Sequence, residues 1–292
     1  MARPADLDLS ASGVGARRGE GPWGQAARSR LALLDDIRAA ARAGQFRPYA
    51  QPIVGLQGPA PQLVAAESLL RWQHPQRGLL AAGEFLHLVE AAELLPEVDL
   101  ATAGHLAAEV SVLDRAGRRV GRLWLNITVS ELFDDAFVAG VASVAERAGL
   151  GAGRIGVEVP EVVLSINEAP LRHRLEDLRE RGVAVAIDHC GSALRLLRLD
   201  VVPFDVVKLD RLLVDRVHRE PLARRVVSAL VELGHHEGAA VIAEGVEHQD
   251  QLQALGELGC DGAQGYLLGG PQPLTTLAGR ENLALPTCTF WG

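Results

Sequence analysis

A (β/α)8 barrel of the TIM type, an α/β fold, is what this sequence predicts, with a doubly wound open sheet as the alternative. Three observations carry the prediction. Eight short aliphatic or β-branched runs recur along about 240 residues, segments of helical spacing separate most of them, and nearly every run ends on or near a polar residue. Either fold places a ligand site at the carboxyl ends of the strands.

Residues 1–29 are rich in Gly, Ala, Arg and Ser without apolar periodicity and read as a disordered tail. From Leu31 the apolar positions Leu31, Leu33, Leu34, Ile37 and Ala41 line one helix face, and Gly44 follows as a stop. The strand candidates are Tyr49–Val54, Leu63–Leu70, Leu123–Ile127, Ile155–Val159, Val183–Ile187, Val206–Leu209, Ala240–Ile242 and Gly262–Leu267. Helical spacing fills Glu84–Leu95, Ala101–Ala116, Glu131–Ala148, Leu171–Arg181, Leu212–Leu233 and Gln249–Leu258. Alternation of this kind implies parallel strands joined by helical crossovers. A closing helix after Leu274 and a short tail at 286–292 complete one domain spanning 30–285.

Composition excludes several classes. The 292 residues are 48% hydrophobic, enough for a sizeable core, and the net charge of -8 disfavours a surface that grips DNA or RNA polymers. No apolar run reaches the roughly 18–20 residues of a membrane span, and the amino terminus lacks the apolar core of a signal peptide, so a cytoplasmic protein is expected. Cys190, Cys260 and Cys288 are odd in number and far apart, which fits free thiols rather than a disulfide framework or a zinc ribbon.

The strand ends carry the functional signal. Glu67 lies in the second run, Asn126 closes the third, Glu158 the fourth, Asp188 the fifth and Lys208 the sixth; Glu244 follows the seventh and Gln264 belongs to the eighth. One charge at a strand end is ordinarily a solvated boundary residue, but a series over consecutive strands points at one mouth. Carboxylates crowded together repel unless cations lie between them, and oxygen donors suit Mg²⁺ or Mn²⁺ better than zinc. Lys208 is the only lysine in the chain. Near metal ions an ammonium pKa is expected to fall, so that it can relay a proton as a guanidinium cannot. Metal-assisted phosphodiester hydrolysis and enolase-like proton abstraction both use this residue set.

Glu67-Ser68-Leu69-Leu70-Arg71-Trp72 resembles the ExLxRW signature of the EAL-domain family. Gln51-Pro52-Ile53, Leu125-Asn126-Ile127, Glu158-Val159-Pro160-Glu161, Lys208-Leu209-Asp210, Ala243-Glu244-Gly245-Val246-Glu247 and Gln264-Gly265-Tyr266 resemble further family motifs in family order, over about residues 30–280. The resemblance implies a barrel that hydrolyses cyclic di-GMP to linear pGpG. By the same resemblance Glu67, Asn126, Glu158 and Asp188 hold a first metal, Glu244 serves a second, Lys208 polarises or deprotonates the attacking water, and Gln264 is a hydrogen-bonding partner. It also implies that Gln51, Leu69, Arg71 and Asp210 face the dinucleotide, and that Glu161 supports the loop after the fifth strand, which helps form a homodimer.

That loop is where this sequence departs from the family, which has two aspartates followed by Phe-Gly-Thr-Gly. Here the chain reads Asp188-His189-Cys190-Gly191-Ser192-Ala193, so His189 stands at a second-metal position and the loop before Pro203-Phe204-Asp205 is a residue shorter. Imidazole removes a negative charge and a hard oxygen, and it suits Mn²⁺ better than Mg²⁺. The expectation is a protein that binds cyclic di-GMP and turns it over weakly; the competing expectation is a binding module that signals to a protein partner without turnover.

Overall fold

A computed structural model describes residues 35–57, 62–191 and 202–277. The expected tails, the domain limits at 30 and 285, the start of the first helix at Leu31, Cys288 and the altered loop from Ser192 lie outside the described residues.

The barrel strands are β1 (Phe46–Gly55), β2 (Gln62–His74), β4 (Arg122–Asn126), β5 (Ile155–Pro160), β6 (Ala184–Cys190), β7 (Val206–Leu209), β8 (Ala240–Ala243) and β9 (Gly262–Ala263). They close in the order β1, β9, β8, β7, β6, β5, β4, β2 and back to β1, and a short β3 (Gly78–Ala81) adds a hairpin to the far end of β2. The helices are α1 (35–42), α2 (Ala82–Ala91), α3 (Leu95–Arg115), α4 (Val129–Leu132), α5 (Asp135–Arg147), α6 (Glu168–Glu180), α7 (Arg211–Val214), α8 (Pro221–His236), α9 (Gln249–Glu257) and α10 (Leu274–Leu277).

One expectation is corrected: not all strands are parallel. β1 runs antiparallel to both β2 and β9, while the remaining barrel pairs are parallel. Only residues 56–61 separate β1 from β2, too few for a crossover of a dozen or more residues. Three helical segments are interrupted. Glu84–Leu95 ends at α2, Glu93 turns the chain with φ 58°, and α3 starts at Leu95 with Pro96 in its first turn. Asp134 caps α5 with its side chain and separates it from α4, and Pro221 opens α8 apart from α7. The eighth strand stops at Ala263 because a Cβ on Gly265 would lie 2.1 Å from the Val246 backbone, so the chain passes against that segment as only glycine can.

Pleat alternation decides what the barrel contains. Ile155, Val157, Val159, Val185, Ile187, Val207 and Leu209 point outward into the main core with the helices. The opposite phase forms an inner apolar layer of Ile53, Ala65, Trp124, Ala184, Ala186, Val206 and Ile242. Trp124 fills most of it, which fixes its neighbours as small: a Cβ on Gly156 would meet the indole at 2.3 Å. Two residues further along each strand the inward phase arrives at Glu67, Asn126, Glu158, Asp188, Lys208 and Glu244. The period of two thus carries the chain from a hydrophobic plug to a polar rim. A separate cluster around Phe46, Trp72 and Phe85 packs the β2–β3 hairpin onto α1 and α2.

Candidate metal and ligand site

Lys208 is the hub of the rim. Its Nζ is fully buried and lies 2.5 Å from Glu244 Oε1, 2.8 Å from Glu158 Oε2, 3.1 Å from Glu67 Oε2 and 3.9 Å from Asp188 Oδ1. Glu67 receives the two amides: Asn126 Nδ2 donates to Oε1 at 2.6 Å and Gln264 Nε2 donates to Oε2 at 2.6 Å. All seven strand-end side chains therefore meet in one cluster. Glu158 Oε1 and Gln264 Oε1 are buried there with no hydrogen-bond partner. An orphaned carboxylate oxygen and an orphaned amide oxygen, in a set of hard donors, fit an oxygen-preferring divalent cation.

Burial by itself would lower the Lys208 pKa, but the carboxylates of Glu158, Glu67, Glu244 and Asp188 outweigh it and hold the pKa well above the usual lysine value. Burial and the neighbouring Glu67 push Glu158 upward. Asp188 rises to about 6 through burial, against the pull of Lys208. Glu244 falls to about 2 despite burial, because Lys208 and His189 favour its charged form.

His189 has an unusual backbone. Between β6 and β7 the register slips, so that Ile187 faces Val207 while Cys190 faces Leu209, leaving an extra residue on β6. His189 takes it up in the left-handed region, φ 56°, with its N–H donating to Asp188 Oδ1 at 2.9 Å. Its ring Nε2 lies 3.3 Å from Asp188 Oδ2, and Nδ1 lies 3.4 Å from Glu244 Oε2 and 3.7 Å from Asp210 Oδ2. The contact with Glu244 raises the His189 pKa to about 9, against burial and with help from Asp188.

A cavity of about 420 Å³ opens from this cluster. Its lining includes Glu67, Asn126, Asp188, His189 and Glu244 of the rim, the apolar Leu69, Leu86, Leu125, Phe137 and Val141, and the polar Asp99, Thr102, Thr128 and Glu131. Asp99 is raised to about 8 by burial and by Glu131 beside it. Thr128 and Glu131 form a capping box on α4, with Thr128 Oγ1 donating to Glu131 Oε2 at 2.8 Å while Glu131 Oε1 is buried without a partner.

The family model described as "EAL domain" matches residues 34–271. The chain belongs to the EAL-domain family. Its similar relatives include the cyclic di-GMP phosphodiesterase NbdA of Pseudomonas aeruginosa, 34% identical over 251 residues, covering 85% of this chain and 31% of that protein. The cyclic di-GMP phosphodiesterase RocR of the same organism is 32% identical over 231 residues, covering 79% of this chain and 58% of that protein. This EAL chain thus spans between about a third and three fifths of the length of those two relatives. Among solved structures, a PaMucR phosphodiesterase in complex with c-di-GMP superposes with a TM-score of 0.76 at 31% identity, covering 85% of this chain and all of that one.

Within the EAL barrel the residues named from sequence divide into two sets. Glu67, Asn126, Glu158, Asp188, His189, Lys208, Asp210, Glu244 and Gln264 are brought together, and Leu69 joins them along the cavity. Gln51 pairs with Glu67 in register on β1 but bonds Gly269 O at 3.3 Å, and the Arg71 guanidinium donates to Leu70 O and lies 5.9 Å from the Tyr49 ring centre. Glu161 is buried in the 3-10 turn directly after β5. Sequence reasoning missed Asp99 and Glu131. The Thr128-x-x-Glu131 pattern was readable as a cap, but nothing marks Asp99, in the first half of α3, as facing a cavity.

Proposed function

We propose that this EAL domain binds cyclic di-GMP and hydrolyses one phosphodiester to give linear pGpG, with a divalent cation, Mg²⁺ or Mn²⁺, and at a weakened rate. The observation that supports it best is the convergence of Glu67, Asn126, Glu158, Asp188, Lys208, Glu244 and Gln264 on one rim beside a cavity. Glu67, Asn126, Glu158 and Asp188 would hold the cation, which when bound supplies Lewis-acid activation of a water and charge neutralisation at the phosphate.

The chain's own residues do the rest. Lys208, buried among the carboxylates of the rim, polarises or deprotonates the attacking water, the role that the family resemblance implies. Gln264 and Asn126 donate to opposite oxygens of Glu67 and fix that carboxylate's plane. Leu69 offers apolar surface at the mouth, and Gln51, Arg71 and Asp210 provide polar contacts to the dinucleotide, Arg71 once its guanidinium leaves Leu70 O. Glu161 supports the segment following β5.

A second reading, a cyclic di-GMP sensor without turnover, is favoured by His189, which puts a ring nitrogen where the family resemblance implies a carboxylate. A cytoplasmic setting, a homodimer and a protein partner go with either reading; no helix among the described residues is long and apolar enough to cross a membrane. The deciding experiment is turnover with Mg²⁺ and Mn²⁺ side by side, with Glu67→Ala as the blank. Slow conversion to pGpG, faster with Mn²⁺, supports the enzyme. Binding by calorimetry without conversion supports the sensor, and vigorous Mg²⁺-supported hydrolysis would show that His189 costs the site nothing.

A further inference from the structure

Asp188, Asp210 and Glu244 come from three successive strand ends, and each has one carboxylate oxygen already engaged. Asp210 Oδ1 accepts the Leu212 N–H at 2.7 Å as the cap of α7, Asp188 Oδ1 accepts the His189 N–H at 2.9 Å, and Glu244 Oε1 meets Lys208 Nζ at 2.5 Å. The other oxygen of each carboxylate faces the His189 ring. Nδ1 lies 3.4 Å from Glu244 Oε2 and 3.7 Å from Asp210 Oδ2, while Nε2 lies 3.3 Å from Asp188 Oδ2.

These separations are longer than the roughly 2.7–3.2 Å of nitrogen-to-oxygen hydrogen bonds. Donors about 2.0–2.2 Å from one ion at tetrahedral angles stand about 3.3–3.6 Å apart, whereas the octahedral shell of Mg²⁺ brings neighbouring donors to about 2.8–3.0 Å. Both Nδ1 separations fall near the tetrahedral spacing. With Nδ1 as a ligand, the Nε2–H is left to Asp188 Oδ2, the arrangement in which a carboxylate fixes the tautomer and orientation of a metal-binding histidine. The His189 side chain is 60% exposed and lines the cavity, so an ion can reach Nδ1 from solvent.

We propose that His189 Nδ1, Glu244 Oε2 and Asp210 Oδ2 form a site for a borderline transition cation of the Zn²⁺ class, so that this rim holds two unlike ions. A nitrogen ligand favours Zn²⁺, Co²⁺ or Ni²⁺ over Mg²⁺, while the all-oxygen set of Glu67, Asn126, Glu158 and Asp188 prefers a hard ion. The inference rests on reading the rim as a cation site but not on cyclic di-GMP being its ligand.

The test is titration of the full chain with Co²⁺ in excess Mg²⁺ and without nucleotide. Visible absorption reads the site, being intense for four-coordinate and weak for six-coordinate Co²⁺, and proton magnetic resonance reads the paramagnetically shifted N–H of a ligating imidazole. His189→Asn and His189→Asp tolerate the left-handed backbone better than most residues, and circular dichroism checks that each folds; if one does not, the other carries the test. The expected result for the native chain is one equivalent of Co²⁺ that Mg²⁺ does not displace, with intense absorption and the shifted N–H signal. Each variant should lose that signal and bind Co²⁺ at least about tenfold more weakly. Displacement by Mg²⁺, a six-coordinate spectrum in the native chain, or an unchanged signal and affinity in a folded variant overturns the proposal and leaves the phosphodiesterase reading standing. Failure to bind either cation overturns both.

Discussion

Lys208→Met takes away the charge on which the rim is built while keeping a side chain of similar length. The native ammonium is fully buried and has carboxylate oxygens at 2.5, 2.8 and 3.1 Å. At an effective dielectric near 20 each such pair has a gross attraction of about 5–7 kcal/mol, most of it offset by desolvation. The variant is left with buried like charges, and breaking a buried ion pair from one side costs about 3–5 kcal/mol. At about 2–4 °C per kcal/mol, the midpoint of thermal unfolding should drop by on the order of 10 °C in metal-free buffer. Denaturant unfolding gives the free energy directly, and Mn²⁺ should recover part of the loss because a divalent ion answers the same charges. Adding Glu158→Gln should recover a further part by removing one of the stranded carboxylates. A loss below about 1 kcal/mol, with no response to Mn²⁺, would refute the hub role of Lys208.

Other outcomes follow from the same geometry. Asp99 has a folded-state pKa of about 8 against 3.8 unfolded, so its neutral form is the one the fold favours, and its contribution is lost as pH rises from about 4 through 8. Asp99→Asn should therefore gain stability over the native chain by up to about 1.4 kcal/mol per pH unit across that window in denaturant unfolding; a difference independent of pH contradicts the assignment. Gly156→Ala drives a methyl into the Trp124 ring at 2.3 Å and should cost about 1–3 kcal/mol, read in the same unfolding experiment; an unchanged midpoint would mean that the inner layer yields. Calorimetry with cyclic di-GMP and Ca²⁺ should show saturable binding that Arg71→Ala weakens about tenfold, a change of about 1.4 kcal/mol; no heat at high micromolar ligand removes the dinucleotide from the account.

The barrel was legible because β5, β6 and β7 are buried on both faces and so appear as unbroken apolar runs. The rim was legible because the same strands end on residues that a solvated loop would not place in series. Three features were not. Antiparallel β1 and β2 have the same composition as a parallel pair, and only the short link between them signals direction. The raised pKa of Lys208 depends on how many carboxylates arrive from other strands, a tertiary fact. The closeness of Asp99 on α3 to Glu131 on α4, both lining one cavity, is a tertiary fact about which local spacing carries no information.

The most direct measurement is an anomalous difference map from crystals of this chain soaked with Mn²⁺ and cyclic di-GMP. The account requires a peak within coordinating distance of oxygens from Glu67, Asn126, Glu158 and Asp188, with a phosphate of the dinucleotide against it. A peak elsewhere, or a dinucleotide bound away from this rim, would contradict it.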